Sequence, residues 1–172
     1  RPWSYRFATP GDEILPMYEP VVVDVTQKKI VAVQSPAQPE VSLMDTEEDV
    51  LQWWSDDCGT LYSLYAERGE KALQLLQTDP VTGKTEKILE ERGSTFVEAN
   101  LDYASQPNIR ILKSGDVIWF SEKDGYGHLY RYDRDGRQKN PITSGTWAVR
   151  LLLYVDENAS NVYFLAGGRE PG

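Results

Sequence analysis

The stretch DVIWFSEKDGYGHLYRYD occupies residues 116–133 and contains two apolar runs on either side of a polar segment. Val, Ile, Phe, Tyr and Trp dominate both runs, and these residues are enriched in β-strands. Gly125 and Gly127 lie in the polar segment, as expected for a turn between two strands. The stretch therefore predicts an antiparallel hairpin, with strands over residues 116–121 and 128–133.

Short apolar runs of the same kind lie on both sides of this hairpin. Residues 108–112 precede it and residues 137–142 follow it, which completes a series of four predicted strands. Turn-forming Asp, Gly and Pro residues separate the strands of a similar series upstream. That second series covers residues 50–54, 61–66, 72–79 and 85–89.

The first part of the chain predicts a further hairpin, with strands over residues 20–25 and 30–33. The segment that follows, residues 35–40, contains Pro36 and Pro39. A proline cannot donate a hydrogen bond to a neighbouring strand, so we interpret this segment as a connection. These short apolar runs bounded by turn residues predict an all-β chain.

The two series of four strands repeat. Residues 66–69 align with residues 121–124. Residues 79–83 align with residues 133–136, so the spacing is about 53 to 55 residues. A third start, at residues 161–166, follows residues 116–121 by about 45 residues. Four-stranded units repeated in this way are typical of β-propeller blades.

We therefore expect a partial β-propeller, with two complete four-stranded antiparallel blades and two partial blades. A single β-sandwich is the alternative, since it also spaces short strands at about 8 to 12 residues. The recurrence of the same turn types favours blades. The expected division is the end of a blade and a connection over residues 1–40, one blade over 41–93, a second over 94–145 and the start of another over 146–172.

The composition excludes several classes of protein. The chain has 172 residues, of which 40% are hydrophobic, so it can form one core and is not disordered. Its 18 basic and 27 acidic residues leave a net charge of −9, which argues against nucleic acid or a membrane surface as a partner. The chain begins at Arg1 without a signal segment and stops at Gly172 just after an apolar run. We expect it to be a fragment of a longer protein.

The sequence offers little for catalysis. Cys58 is the only cysteine, so it can form no internal disulfide. His128 is the only histidine, and no Gly-x-Ser-x-Gly nucleophile motif accompanies it. We expect His128 to pack or to form hydrogen bonds within its hairpin. We assign no catalytic, cofactor-binding or metal-binding residue and expect no cofactor.

Two local motifs have an incomplete match to ligand-binding loops. The triplet Gly83-Lys84-Thr85 resembles the end of a phosphate-binding loop, but residue 78 is threonine where that loop needs glycine. Asp133, Asp135 and Gly136 resemble the start of a calcium loop, but serine occupies position 144 where a closing glutamate is needed. We interpret both motifs as turns between strands.

Acidic and aromatic residues form two further groups. Four carboxylates lie within residues 45–49 and could attract a cation or a peptide amino terminus, although we favour a solvated connection. The tryptophans in the strand regions could line a cleft, but beside Val, Leu and Ile they are expected to pack between sheets. These are Trp53, Trp54, Trp119 and Trp147.

Residues 116–133, followed by ITSGTWAV at residues 142–149, resemble the propeller domain of dipeptidyl peptidase IV-like enzymes. In that family a blade reads much like W-S-E-R-D-G-Y-x-H-L-Y-x-Y-D and continues to an L-T-x-G-x-W-x-V segment. Both parts occur here in that order. Weaker similarity includes residues 5–13, and the resemblance departs from the family at residues 15–18 and 99–106.

The resemblance implies a serine exopeptidase that releases N-terminal dipeptides, typically X-Pro. Members of the family combine an α/β-hydrolase domain, which carries a Ser-Asp-His triad, with an eight-bladed propeller that restricts access to the chamber between them. The triad lies C-terminal to the propeller and is absent from these residues. A glutamate pair that binds the substrate ammonium normally precedes the region that begins here with Arg1. Glu47 and Glu48 lack the Asp-Trp and Tyr context of that pair, so the role is not transferred to them.

The sequence therefore predicts a non-catalytic propeller portion of such an enzyme, which gates substrate access. The expected partners are peptide substrates, acting through the parent enzyme, the α/β-hydrolase domain of the same chain and a second copy in a homodimer. Family resemblance implies a periplasmic or secreted protein. The alternative is a non-catalytic propeller scaffold for protein–protein interaction. A carbohydrate-active propeller is a third hypothesis, which fails if Trp53, Trp54 and Trp119 are all buried.

Overall fold

The computed structural model describes residues 11–39, 52–67, 69–98, 107–158 and 160–168. Within these ranges the chain forms fourteen β-strands, arranged in two four-stranded and three two-stranded antiparallel sheets. None of the described residues belongs to a helix that is long and apolar enough to cross a lipid bilayer. The prediction of an all-β fold is confirmed.

Two small sheets form the first described part of the chain. Their strands are β1 (Met17–Tyr18), β2 (Val21–Asp24), β3 (Lys29–Ala32) and β4 (Gln38–Pro39). Strands β2 and β3 form the predicted hairpin. Strand β4 pairs with β1, so the interpretation of residues 35–40 as a connection is wrong for these two residues. Pro39 is compatible with so short a strand at the edge of a sheet.

Two four-stranded meanders follow, and in each of them consecutive strands are neighbours. The first consists of β5 (Gln52–Trp54), β6 (Leu61–Ala66), β7 (Ala72–Thr78) and β8 (Thr85–Arg92). The second consists of β9 (Arg110–Ile111), β10 (Val117–Ser121), β11 (His128–Tyr132) and β12 (Gln138–Pro141). Both predicted series of strands are thereby confirmed.

The predicted ends of these strands differ most from the structure at β8 and β9. Strand β8 continues to Arg92 rather than ending at Leu89. Strand β9 has only two residues. It ends early because a turn begins at Leu112, whose N–H donates a hydrogen bond to the carbonyl oxygen of Asp116 (2.8 Å).

A long two-stranded ribbon completes the described structure. It consists of β13 (Ala148–Asp156) and β14 (Asn161–Gly167). The strand predicted over residues 161–166 is present. The limits of the blades, predicted at residues 40, 93 and 145, stay a prediction.

Strand β10 lies between the first meander and the ribbon, and all five of its residues are buried. Val117 and Trp119 pack with leucines of β6 and β7 in one core cluster. Ile118 and Phe120 pack with Leu152 of the ribbon in a second cluster. Successive side chains of a strand point to opposite faces of its sheet. The second meander is therefore covered on both faces by neighbouring sheets, as a propeller blade is.

A half-buried carboxylate connects the two meanders. Glu91 on β8 accepts hydrogen bonds from the indole Nε1 of Trp119 (2.8 Å) and from the hydroxyl of Ser121 (2.7 Å), both on β10. The Trp119 side chain is fully buried, so its N–H needs a partner within the protein. This contact fixes the position of the last strand of one sheet on the face of the next.

Two glycines in equivalent turns make close backbone contacts with the preceding sheet. Gly83 and Gly136 have φ angles of +76° and +77°. A Cβ atom at Gly83 would lie 2.0 Å from the carbonyl oxygen of Ala32 in β3, and one at Gly136 would lie 2.0 Å from that of Ile88 in β8. The β7–β8 turn therefore contacts β3 in the same way that the β11–β12 turn contacts β8.

Asp116 holds the second meander together from inside. Its carboxylate precedes β10 and accepts hydrogen bonds from Nε of Arg131 on β11 (2.7 Å) and from Nζ of Lys139 on β12 (2.9 Å). Only 6% of the residue is exposed. Burial opposes its ionisation, but the hydrogen bonds from Lys139 and Arg131 outweigh that effect and lower the pKa of Asp116 below 3.8.

Replacement of Gly136 with alanine tests the contact between sheets. Gly125 is the matched control, because its φ is +87° and a Cβ atom at that position would have no other atom within 4 Å. Gly125→Ala should cost about 1–2 kcal/mol, the strain of a left-handed backbone. Gly136→Ala should cost about 1–3 kcal/mol more, since the new methyl group collides with a backbone carbonyl. Urea denaturation followed by tryptophan fluorescence measures both values, and equal losses would contradict the contact.

Asp116→Asn should change the pH dependence of stability. Because folding lowers the pKa of Asp116, its ion pairs stabilise the fold above pH 3.8 and lose their effect as the pH falls through the folded-state pKa. The variant should be about 1–3 kcal/mol less stable than the wild type at neutral pH, with a smaller difference below about pH 3. Asp135→Asn is the control, because its pair with Arg137 is largely exposed and should contribute under about 1 kcal/mol. A constant difference across the pH range would refute the assignment.

Candidate functional site

A cleft with a volume of about 580 Å³ lies between the first strands of the two meanders. One wall is β5 with the turn that follows it, and the other is β9 with its own following turn. Among the described strands, β5 pairs only with β6 and β9 pairs only with β10. Each strand therefore has one edge without a neighbouring strand among the described residues, and the cleft lies beside these edges.

Aromatic side chains form the first wall. The rings of Trp53 and Tyr62 stack, with centroids 6.2 Å apart and planes inclined at 30°. Both rings are half-buried, whereas Trp54 is 46% exposed. Burial, more than the charge of nearby Asp57, raises the pKa of Tyr62, so its hydroxyl stays protonated at neutral pH.

A tight turn at the end of β5 carries two exposed carboxylates, Asp56 and Asp57. The Oδ1 atom of Asp57 accepts hydrogen bonds from the Ser55 hydroxyl (2.6 Å) and from the backbone N–H of Gly59 (3.0 Å). These bonds lower the pKa of Asp57, with the Ser55 bond contributing most. Asp57 is thus engaged in its own turn at the rim of the cleft.

Arg110 is the main cation of the second wall, and it is half-buried. One terminal nitrogen donates to the carbonyl oxygens of Pro107 (2.8 Å) and Ile109 (2.7 Å), and the other donates to that of Leu152 (3.1 Å). Burial lowers the pKa of Arg110. All of its bonds in the described part of the chain go to uncharged carbonyl groups.

Asn108 fixes this wall to the ribbon. Its side chain is fully buried and accepts a hydrogen bond from the N–H of Leu152 (2.6 Å) while donating one to the carbonyl oxygen of Arg150 (3.2 Å). The Asn108 amide thus bonds to both an N–H and a carbonyl group of β13, which fixes the second meander against the ribbon. The Arg110 guanidinium is therefore held on a rigid support.

The prediction that the tryptophans pack in the core is confirmed for Trp119 and wrong for Trp54. Trp119 is buried in the core as predicted. Trp147 is half-buried and stacks on Phe164, with centroids 5.9 Å apart. Trp54 is exposed, because β5 is the first strand of its meander and its outer surface borders the cleft. The condition of complete burial that would have rejected a carbohydrate-binding surface is thus not met.

His128 is buried and both of its ring nitrogens have partners. Nδ1 lies 3.1 Å from the Thr143 hydroxyl and Nε2 lies 3.0 Å from the carbonyl oxygen of Gly145. The ring also meets the edge of Trp147, with centroids 5.1 Å apart. The prediction that His128 packs and forms hydrogen bonds near its hairpin is confirmed.

The two incomplete loop motifs are turns, as predicted. Lys84 forms an exposed ion pair with Glu86 (2.6 Å). Asp133 accepts hydrogen bonds from the N–H groups of Asp135 (3.0 Å) and Arg137 (2.8 Å), which closes the turn. The described ranges contain no cluster of three metal-ligating side chains. The acidic stretch at residues 45–49 lies outside the described residues.

Arg110 and Tyr62 were not predicted from the sequence to belong to a site. Neither residue belongs to a recognisable motif, and their neighbourhood depends on how two meanders stack. Only the tryptophans carried a signal, since their clustering is compatible with a cleft as well as with a core. No local pattern could have placed Arg110 opposite them.

Comparison with known proteins gives consistent results. Residues 2–172 match the family described as "Dipeptidyl peptidase IV (DPP IV) N-terminal region". A protein of Aspergillus flavus named "Probable dipeptidyl peptidase 4" is 23% identical over 170 residues, which cover 96% of this chain and 21% of that protein. "Dipeptidyl peptidase 4" of Arthroderma otae is 28% identical over 88 residues, or 49% of this chain and 11% of that protein.

A solved structure shares the fold. The crystal structure of Porphyromonas gingivalis dipeptidyl peptidase 4 matches with a TM-score of 0.67 and 20% identity, over 85% of this chain and 19% of that one. The chain thus spans about a fifth of the length of this structure and of the Aspergillus flavus relative. Its two stacked four-stranded meanders and the match over nearly every residue lead to one conclusion: the chain belongs to the family of dipeptidyl peptidase IV N-terminal regions, the propeller part of such proteins.

Proposed function

We propose that this chain is a non-catalytic part of the propeller of a serine exopeptidase that releases N-terminal dipeptides, typically X-Pro. The family match over residues 2–172 is the observation that carries the proposal. The α/β-hydrolase domain of the same protein supplies the nucleophile and the triad. The propeller portion forms a wall of the chamber and limits which substrates reach that domain.

The contacts between sheets suit such a wall. Glu91 links the two meanders through Trp119, and Asn108 links the second meander to the ribbon. These bonds are buried or half-buried and involve groups far apart in sequence, so separating the sheets would leave polar atoms unpaired. A wall that resists opening excludes bulky substrates while extended peptides enter.

We infer that His128 does not act as the general base of this reaction. His128 is enclosed by Thr143, Gly145 and Trp147, and a substrate could reach neither ring nitrogen without displacing them. The sequence contains no Gly-x-Ser-x-Gly motif. We infer that the chain contributes shape and binding surface, while proton transfer occurs elsewhere in the protein.

We further propose that the protein is exported to the periplasm or the medium and can associate as a homodimer. Peptides are its substrates. The net charge of −9 disfavours nucleic acid as a partner. The alternative is a non-catalytic propeller scaffold that binds other proteins. A protein with that role would have no peptidase activity.

The natural full-length protein should hydrolyse Gly-Pro-p-nitroanilide, and a fluorophosphonate should abolish the activity. N-acetyl-Gly-Pro-p-nitroanilide is the matched control, because acetylation removes the ammonium group that an aminopeptidase must bind. Its kcat/KM should be lower by about 100-fold or more, the loss expected when one partner of a charged hydrogen bond is removed. Absence of hydrolysis by the folded protein would favour the scaffold role.

A further inference from the structure

We propose that the cleft between β5 and β9 binds an acidic side chain of a peptide, with the carboxylate at Arg110 and the adjoining peptide against Trp53 and Trp54. This site goes beyond the proposed function, because it requires neither a triad nor an intact amino terminus in the ligand. The cleft volume of about 580 Å³ can hold two or three peptide residues.

The charge at Arg110 has no counterion in the described structure. Its bonds to Pro107, Ile109 and Leu152 satisfy three N–H groups with neutral carbonyl oxygens. A guanidinium has five N–H donors, so two remain. A half-buried charge without an opposite charge is unfavourable, and a ligand carboxylate would compensate it through charge-assisted hydrogen bonds.

The carboxylates at the cleft do not neutralise this charge. Asp56 and Asp57 are exposed at the rim, where water and salt screen them, and Asp57 is bound to Ser55 and Gly59 in its own turn. Within the described residues, neither forms an ion pair with Arg110. Lys113, which is exposed on the wall of Arg110, adds a second cation. The wall formed by β9 and its following turn therefore carries two cations, Arg110 and Lys113, although the protein as a whole has a net charge of −9.

The opposite wall offers flat apolar surface together with hydrogen-bond donors. Trp53, Trp54 and Tyr62 line the cleft, and their indole N–H and phenol O–H groups bond to no other described residue. Aromatic side chains with a polar atom at one end are favoured where a ligand must be both packed and oriented. Donors outnumber acceptors among these groups, which matches the carbonyl and carboxylate oxygens of a peptide.

Calorimetric titration of the natural full-length protein with two blocked peptides tests the proposal. The probes are acetyl-Gly-Pro-Glu-Phe-amide and acetyl-Gly-Pro-Gln-Phe-amide, which differ only in the carboxylate. Because their amino termini are acetylated, an aminopeptidase site cannot cleave them, and binding is measured independently of activity. The Glu peptide should bind about tenfold more tightly than the Gln peptide at low ionic strength, and less so at high salt.

Substitutions of cleft residues test whether the peptide binds in the cleft. Trp54→Ala should weaken binding of the Glu peptide by about tenfold, and its fold should survive because Trp54 is exposed. Lys113→Gln should weaken it by about two- to fivefold. The matched controls are Phe96→Ala and Lys29→Gln, since both side chains are exposed and lie outside the cleft lining. Neither control should change the affinity.

Phenylacetate distinguishes a peptide side chain from a free carboxylate. It carries a carboxylate and a ring but no peptide groups, so it should bind at least about tenfold more weakly than the Glu peptide. Equal affinity for the Glu and Gln peptides, or an affinity that Trp54→Ala leaves unchanged, would overturn the proposal. Tight binding of phenylacetate alone would overturn the assignment to a peptide. A full-length protein that binds the Glu peptide but fails to hydrolyse Gly-Pro-p-nitroanilide would refute the proposed function and leave this site intact.

Discussion

The burial of β10 on both faces is the constraint on which the rest of the structure depends. Val117 and Trp119 belong to one core, while Ile118 and Phe120 belong to the next. A sheet with only one buried face would need polar residues at alternate positions of this strand. The uninterrupted apolar sequence therefore requires a neighbour on each side, so the second meander cannot be stable as an isolated unit. Each burial of a large side chain contributes about 1.5–3 kcal/mol, and opening the stack on either face of β10 exposes the core on that face.

Specific polar and backbone contacts determine how the sheets stack once the apolar faces meet. Glu91 accepts two hydrogen bonds from β10, and Gly136 allows its turn to approach the backbone at Ile88. Apolar packing alone would permit the sheets to slide over one another, since it lacks direction. A carboxylate with two donors and a turn that touches a carbonyl each tolerate little displacement. Gly83 makes the same contact with the carbonyl group of Ala32, so the repeat seen in the sequence is accompanied by a repeated contact between sheets.

The sequence predicted the strands well because their signals are local. Short apolar runs with β-branched and aromatic residues, and glycines at turns, all act within a few residues, and they placed β6, β7, β10 and β11 nearly to the residue. Contacts between sheets carry no such signal. Arg110 and Leu152 meet across 42 positions of the chain, and Asn108 meets the same strand. The prediction for Trp54 was wrong for the same reason, because its neighbours in the sequence are those of a core residue. Trp54 is exposed because it lies on the first strand of its meander, beside the cleft.

The cleft follows from the same geometry that makes the stack stable. The inner strands of each meander are paired on both edges, whereas β5 and β9 each keep one edge without a described neighbour. An exposed side chain on such a strand, as Trp54 is on β5, can therefore contact a ligand without loss to either core. Arg110 illustrates the consequence, since the carbonyl groups that orient it belong to its own segment and to the ribbon, and its remaining donors are held in place before a ligand arrives. Preorganised donors lose little entropy on binding, so even a shallow cleft on such a support can select one kind of side chain over another.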